Sequence, residues 1–220
     1  MKQTKKLATL LAVLFFMGNA ATSFAESIKD VFSNTETAIT YLGIDYYNAR
    51  LINDPGSNNT SDIKNRLFNS MNQVVVMEPK NYDLTGAFNR SNPVTNDLEA
   101  VTDRNEKTIA DNITSTDPAD FSRLTEANIA AEVKALSFKN KTGVGLIFIM
   151  EGMKKEAKKS YGSVWVTLID MKTKKVLMTE RMEQEAAGFG FRNFWVSVVK
   201  KSIIEINKKK YKEWKNNYGG

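Results

Sequence analysis

Residues Val144 to Met150 are apolar almost without interruption, and this run narrows the possible folds sharply. It matches a central strand with both faces covered, because a strand wetted on one side alternates instead. Residues Tyr161 to Ile169 do alternate, with Val164, Val166 and Leu168 on one face and Ser163, Trp165 and Thr167 on the other. Asp170-Met171-Lys172-Thr173-Lys174 reads as a turn, and Val176, Met178 and Met182 alternate along a return strand. Residues 161–183 are therefore expected to form an antiparallel hairpin. Gly188-Phe189-Gly190 breaks that strand, and Trp195, Val199, Ile203 and Ile206 then recur at helical spacing, a stripe fit to lie across a sheet.

Upstream the pattern is less regular. Tyr41 to Tyr47 is rich in β-formers and reads as a first strand, and Asn53 to Asn59 is dense in turn residues and reads as a loop. Ser61 is a candidate cap for a helix whose buried side holds Ile63, Leu67, Phe68, Met71, Val74 and Val75, with the β-branched run Val74 to Val76 open to a strand instead. Residues 78–118, punctuated by Pro79, Pro93 and Pro118, predict short helices and loops, with a brief strand over Leu98 to Thr102 and a short helix through Ile109 and Ile113. The stretch from Ser122 to Glu126 offers a cap for a helix burying Leu124, Ile129, Val133 and Leu136. The expected fold is α/β: a mixed, mainly antiparallel sheet with packed helices, ending in a strand-hairpin-helix unit, as a single domain over residues 26–220.

The N-terminus predicts where the chain works. Lys2, Lys5 and Lys6 precede the apolar run Leu7 to Met17, and small residues at Ser23 and Ala25 complete the three-part pattern of a secretory signal peptide. Cleavage is expected after Ala25, and the run is short against the roughly 20 residues of a membrane-spanning helix. The chain has no cysteine, so no lipid anchor is expected at the cleavage site, and the product is expected in the periplasm or secreted.

The chain also lacks histidine, which removes His-based triads, His-ligated zinc and the usual neutral-pH proton shuttle. No cofactor and no metal site is expected. The formal charge is +6, of which Lys2, Lys5 and Lys6 supply half. The basic aromatic segment from Lys208 to Lys215 suits a solvated helix end better than a lipid-binding surface, and export makes nucleic acid an unsuitable partner. Lys154, Lys155, Lys158 and Lys159 read as a wet loop between strands. Asp54-Pro55-Gly56-Ser57-Asn58 has calcium-type ligands without the spacing of a calcium loop. Gly188 to Asn193 lacks the third glycine of a dinucleotide fingerprint and the ending of a P-loop, so it reads as a turn that tucks Phe189 and Phe191 inward.

Two sets of residues remain as site candidates. Tyr161, Trp165, Phe189 and Arg192 would form a protein-binding surface, since aromatic and Arg side chains dominate binding hot spots, with core packing as the competing role for the aromatics. Glu151 and Asp170, each at the end of an apolar strand, would serve an enzyme or a small-ligand receptor if the fold brought them together.

Val144 to Glu151, Trp165 to Asp170, and Gly188-Phe189-Gly190-Phe191-Arg192-Asn193-Phe194-Trp195 together resemble a family of uncharacterised secreted proteins of Bacteroides-type bacteria. The likeness extends upstream through Glu78 to Leu84 and Asp103-Arg104-Asn105, and it implies a compartment and a fold. The hairpin turn followed by a glycine-marked turn and a long helix also resembles the group of the curli-secretion-channel subunit and the TolB N-terminal domain, with Lys174 where such hairpins carry glycine. That likeness implies helices against a mixed sheet and a role in envelope assemblies. The expected function is a soluble, exported, non-enzymatic binding or envelope-assembly component whose partner is another envelope protein. A direct membrane contact is the lesser reading, and the oligomeric state is open.

Overall fold

A computed structural model describes residues 27–220, so the expected signal peptide, residues 1–25, lies outside the described residues. In chain order the elements are α1 (Ile28–Ser33), β1 (Ile39–Asp45), β2 (Arg50–Ile52), and a continuous helix over residues 60–77. That helix comprises α2 (Thr60–Asp62), a π turn (Ile63–Leu67) and α3 (Phe68–Met77). Then come α4 (Leu84–Ala87), β3 (Thr95–Asn96), α5 (Glu99–Asn105), β4 (Thr114–Ser115), a 3-10 segment (Pro118–Ser122) and α6 (Glu126–Ala135). The chain ends with β5 (Val144–Lys155), β6 (Ser160–Asp170), β7 (Lys175–Glu185) and a helix over residues 191–218, built from α7 (Phe191–Glu205), a π turn (Ile206–Lys210) and α8 (Tyr211–Tyr218).

β5 organises the sheet. Along one edge it pairs antiparallel with β6, which pairs in turn with β7. Along the other edge it pairs parallel with β1 opposite Val144 to Ile149 and with β2 opposite Gly152 to Lys154. β1 and β2 thus behave as one strand interrupted at residues 46–49, and the two-residue strands β3 and β4 pair parallel to their outer side. Four of the six pairings are parallel, which overturns the expected mainly antiparallel sheet. Antiparallel hairpins announce themselves locally through turn chemistry, whereas β1 meets β5 only through a connection of about 100 residues, which no local pattern reports.

The expected strand over Leu98 to Thr102 is instead part of α5, where Ala100 and Val101 turn toward the core and Asn105 falls one turn later. One cap differs from expectation, at the helix over residues 60–77, and the other falls within the expected stretch Ser122 to Glu126. Asn59 caps the helix over residues 60–77, its side chain accepting from Asp62 N at 3.0 Å. At α6 the cap is Thr125, in a reciprocal box with Asn128, while Ser122 belongs to the 3-10 segment before it. At the hairpin, Lys174 adopts φ +57°, a conformation glycine reaches at little cost, and its Nζ donates to Leu136 O at 2.6 Å beyond the end of α6.

Apolar side chains fill both faces of the sheet. Val164, Val166 and Leu168 point into the larger core with Trp195, Val199, Ile203 and the buried face of α3. Trp165 and Ile169 join Ile147, Ile149 and the apolar sides of α5 and α6 in a second core on the opposite face. β6 is therefore covered on both sides.

Candidate functional site

Glu151 and Asp170 do not converge. Asp170 pairs with Val144, seven residues along β5 from Glu151, which separates them by about 23 Å at ~3.3 Å per residue. Each acid is also engaged within the fold. Glu151 is 0% exposed and accepts from Leu124 N at 2.5 Å, Trp165 Nε1 at 3.2 Å and Arg181 Nε at 2.8 Å. Asp170 Oδ1 accepts from Lys172 N at 2.9 Å and Thr173 N at 3.3 Å, holding the hairpin turn. No sequence pattern marks Arg181 as a site residue, because its partner lies 30 residues earlier on a strand two places away.

The aromatic set divides. Trp165 is 7% exposed, sits in the second core and is bound to Glu151, so it offers nothing to a partner. Phe189 is 94% exposed, contrary to the expectation that it tucks inward, while Phe191 packs partly against the larger core. The backbone explains the difference. Gly188 at φ +127° and Gly190 at φ +77° bracket Phe189, and that pair of conformations throws the intervening side chain outward at the β7–α7 turn. Tyr161, half-buried, pairs across the sheet with Glu185 near the start of that turn, and Arg192 lies exposed on the first turn of α7. Tyr161, Phe189 and Arg192 thus share one end of the sheet.

Most of the basic side chains at this end are committed internally, and Lys154 and Lys155 belong to β5 rather than to the loop expected there. Lys154 pairs with Glu156 at 2.8 Å and lies over the Phe121 ring, Lys155 pairs with Asp54 at 2.7 Å, and Lys159 pairs with Glu185 at 3.2 Å. In the C-terminal basic segment Tyr211 and Trp214 are buried and Lys210 pairs with Glu180 at 2.6 Å, while Lys208, Lys209, Lys212 and Lys215 are exposed.

A second region has no counterpart among the sequence expectations. Between β3 and β4 the outer edge of β1 carries no strand, and α3 from one face and α5 from the other converge on the opening. Two buried asparagines serve the exposed backbone. Asn72 Oδ1 accepts from Ile44 N at 2.6 Å and its Nδ2 donates to Ile44 O at 3.0 Å. Asn105 Oδ1 accepts from Tyr46 N at 2.7 Å and its Nδ2 donates to the same Ile44 O at 2.9 Å. Gly43, at φ +111°, makes room for this arrangement, since a Cβ there would lie 2.8 Å from Asn72 Oδ1. Above this floor opens a cleft of about 290 Å³.

Beside the cleft, Asp45 is buried and paired with Arg104 Nε at 2.8 Å, and its Oδ1 accepts from Tyr47 N at 2.8 Å. Arg104 also pairs with Glu132 and lies 4.3 Å over the Tyr47 ring. Burial raises the Asp45 pKa, with Arg104 acting in the opposite sense. Folding therefore favours the protonated acid. The stability Asp45 contributes is full below the unfolded pKa of about 3.9 and is lost as pH rises through the raised folded value. The difference in urea midpoint between wild type and Asp45→Asn is expected to shift against the wild type as pH rises above about 4; a pH-independent difference would show that the pKa is not raised.

Among the described residues no group of three or more acids could hold a metal ion, and no helix is long and apolar enough to cross a membrane. No protein-family model matches the chain, and no curated protein does. Among solved structures the chain is similar to the lipoprotein GNA1162 from Neisseria meningitidis, at 13% identity over 77% of this chain and 99% of that one, with a TM-score of 0.29. A likeness at that level carries no functional weight.

Proposed function

We propose that the chain is an exported, non-enzymatic binding or assembly component of the cell envelope that docks an envelope protein through the turn bearing Phe189. The observation that carries this reading is the 94% exposure of Phe189 between two glycines of positive φ. A large apolar side chain held out on a turn gains nothing for the fold and is suited to burial in a partner's pocket. Tyr161 and Arg192 at the same end add the residue types that anchor such contacts. Export rests on the pattern of residues 1–25.

Two experiments test this. Cell fractionation should place the protein in the periplasmic or secreted fraction, and a cytoplasmic location would end the proposal. A photo-reactive residue at position 189 should crosslink in whole cells to one discrete envelope protein, whereas a photo-reactive residue at Ile109, exposed elsewhere, should not. Phe189→Ser should leave stability within about 0.5 kcal/mol, as surface changes do, while abolishing co-purification of the crosslinked partner. Retained co-purification would remove Phe189 from the interface.

A further inference from the structure

The residues lining the cleft between α3 and α5 are all polar, so hydrogen bonds and charge would set what it binds. We propose that it binds a small zwitterion carrying one ammonium and one carboxylate, a free amino acid or a dipeptide.

The floor supplies the first reason. Asn72 and Asn105, 2% and 6% exposed, each spend one carboxamide N–H on Ile44 O. Each carboxamide carries a second N–H that bonds no other described residue, and both residues line the cleft, so these are the donors an acceptor entering it would meet. A carboxylate is the strongest acceptor available to them.

The rim supplies the second. Lys64, on the π turn, and Glu106, just beyond α5, line opposite walls, and neither forms an ion pair with any described residue. One positive and one negative group leave the lining neutral overall, which suits a zwitterion and disfavours both a phosphate and a simple cation. Asn65 and Asn69 add carboxamides whose paired donor and acceptor match a peptide amide. The π turn inserts an extra residue into the helix where Lys64 and Asn65 stand, which sets how both side chains face the cleft mouth they line. The volume of about 290 Å³ lies at the lower end of ligand sites, the size class of an amino acid or dipeptide.

The test is titration of the purified protein with glycine, alanine, glycylglycine and alanylalanine, read by calorimetry and by side-chain amide shifts in NMR spectra. At least one is expected to bind with Kd at or below ~1 mM and to shift the Asn65, Asn69 and Asn72 amides. N-acetylation plus C-amidation of that ligand is expected to weaken binding by about tenfold or more, as are Lys64→Gln and Glu106→Gln, each removing a bond to a charged group. Both substitutions are on the surface and should leave the melting temperature unchanged. Failure of all four ligands to bind at ~10 mM would overturn the proposal. So would equal binding of the blocked ligand, or unchanged affinity in both variants. None of these outcomes bears on the Phe189 turn, so the two readings stand or fall separately.

Discussion

Replacing Arg181 with methionine is expected to remove about 3 kcal/mol of folding stability, because it strands Glu151 as an unpaired buried charge. Breaking a buried pair by removing one partner typically costs about 3–5 kcal/mol, and the lower end applies here because the Arg181 side chain keeps 25% exposure. The loss reaches beyond the pair. Arg181 also donates to Phe121 O at 2.8 Å, and Glu151 holds Leu124 N, so these two side chains fasten residues 121–124 to the sheet from opposite ends of one ion pair. Ser163 Oγ donates to Phe121 O at 2.8 Å and would have to hold that carbonyl alone. For a chain of this size the change should lower the melting temperature by roughly 6–12 °C. Urea unfolding at neutral pH measures it. Glu151→Gln in the same chain should recover part of the loss, since the amide oxygen still accepts from Leu124 N and no charge remains buried, while the amide NH2 replaces the oxygen that accepted from Trp165 Nε1. A single variant that loses less than about 1 kcal/mol would mean that solvent reaches Glu151 and that the acid is not held as described.

The same pair marks the boundary of what is legible in the sequence. The hairpin partners Trp165 and Arg181 face each other across β6 and β7, and the alternation of residues 161–183 locates both strands. The helix stripe Trp195, Val199, Ile203 and Ile206 is likewise buried as its spacing implies. Both signals are local, set by backbone periodicity and turn residues. The parallel half of the sheet has no such signal: β3 and β4 are two residues long, and β1 finds β5 by packing after a long crossover. The cleft is hidden for a related reason. Its walls come from a helix before β3 and a helix after it, and asparagines, usually turn residues, carry no message in the sequence about a shared carbonyl that two of them bond in the fold. Phe189 goes against expectation because glycine permits either an inward or an outward turn, and only the actual φ values decide which.

Trp195→Ala should be the most damaging of these substitutions, at about 5 kcal/mol, because it opens a cavity and takes the donor from one oxygen of a buried carboxylate at once. Trp195 is fully buried under the sheet, and truncating a buried Trp typically costs about 3–5 kcal/mol through lost burial and the void left behind. Its Nε1 also donates to Asp54 Oδ2 at 3.2 Å, in a loop whose carboxylate has no exposed surface. Asp54 Oδ1 pairs with Lys155 at 2.7 Å and accepts from Gly56 N at 2.8 Å, while its carbonyl accepts from Ser57 Oγ at 2.5 Å. The loop with calcium-type side chains is therefore closed around its own acid, with the indole of α7 as the distant anchor. Trp195→Phe separates the two contributions. It keeps most of the ring volume and loses the donor, so it should cost about 1–2 kcal/mol, the penalty for one unsatisfied buried acceptor. Amide exchange should then accelerate over Asn53 to Asn58 in Trp195→Phe, and stay at the wild-type rate in Phe189→Ser, whose side chain points away into solvent. If the exchange of those amides is unchanged in Trp195→Phe, the loop is held by Lys155 and its own turn hydrogen bonds, and the indole serves only to fill the core.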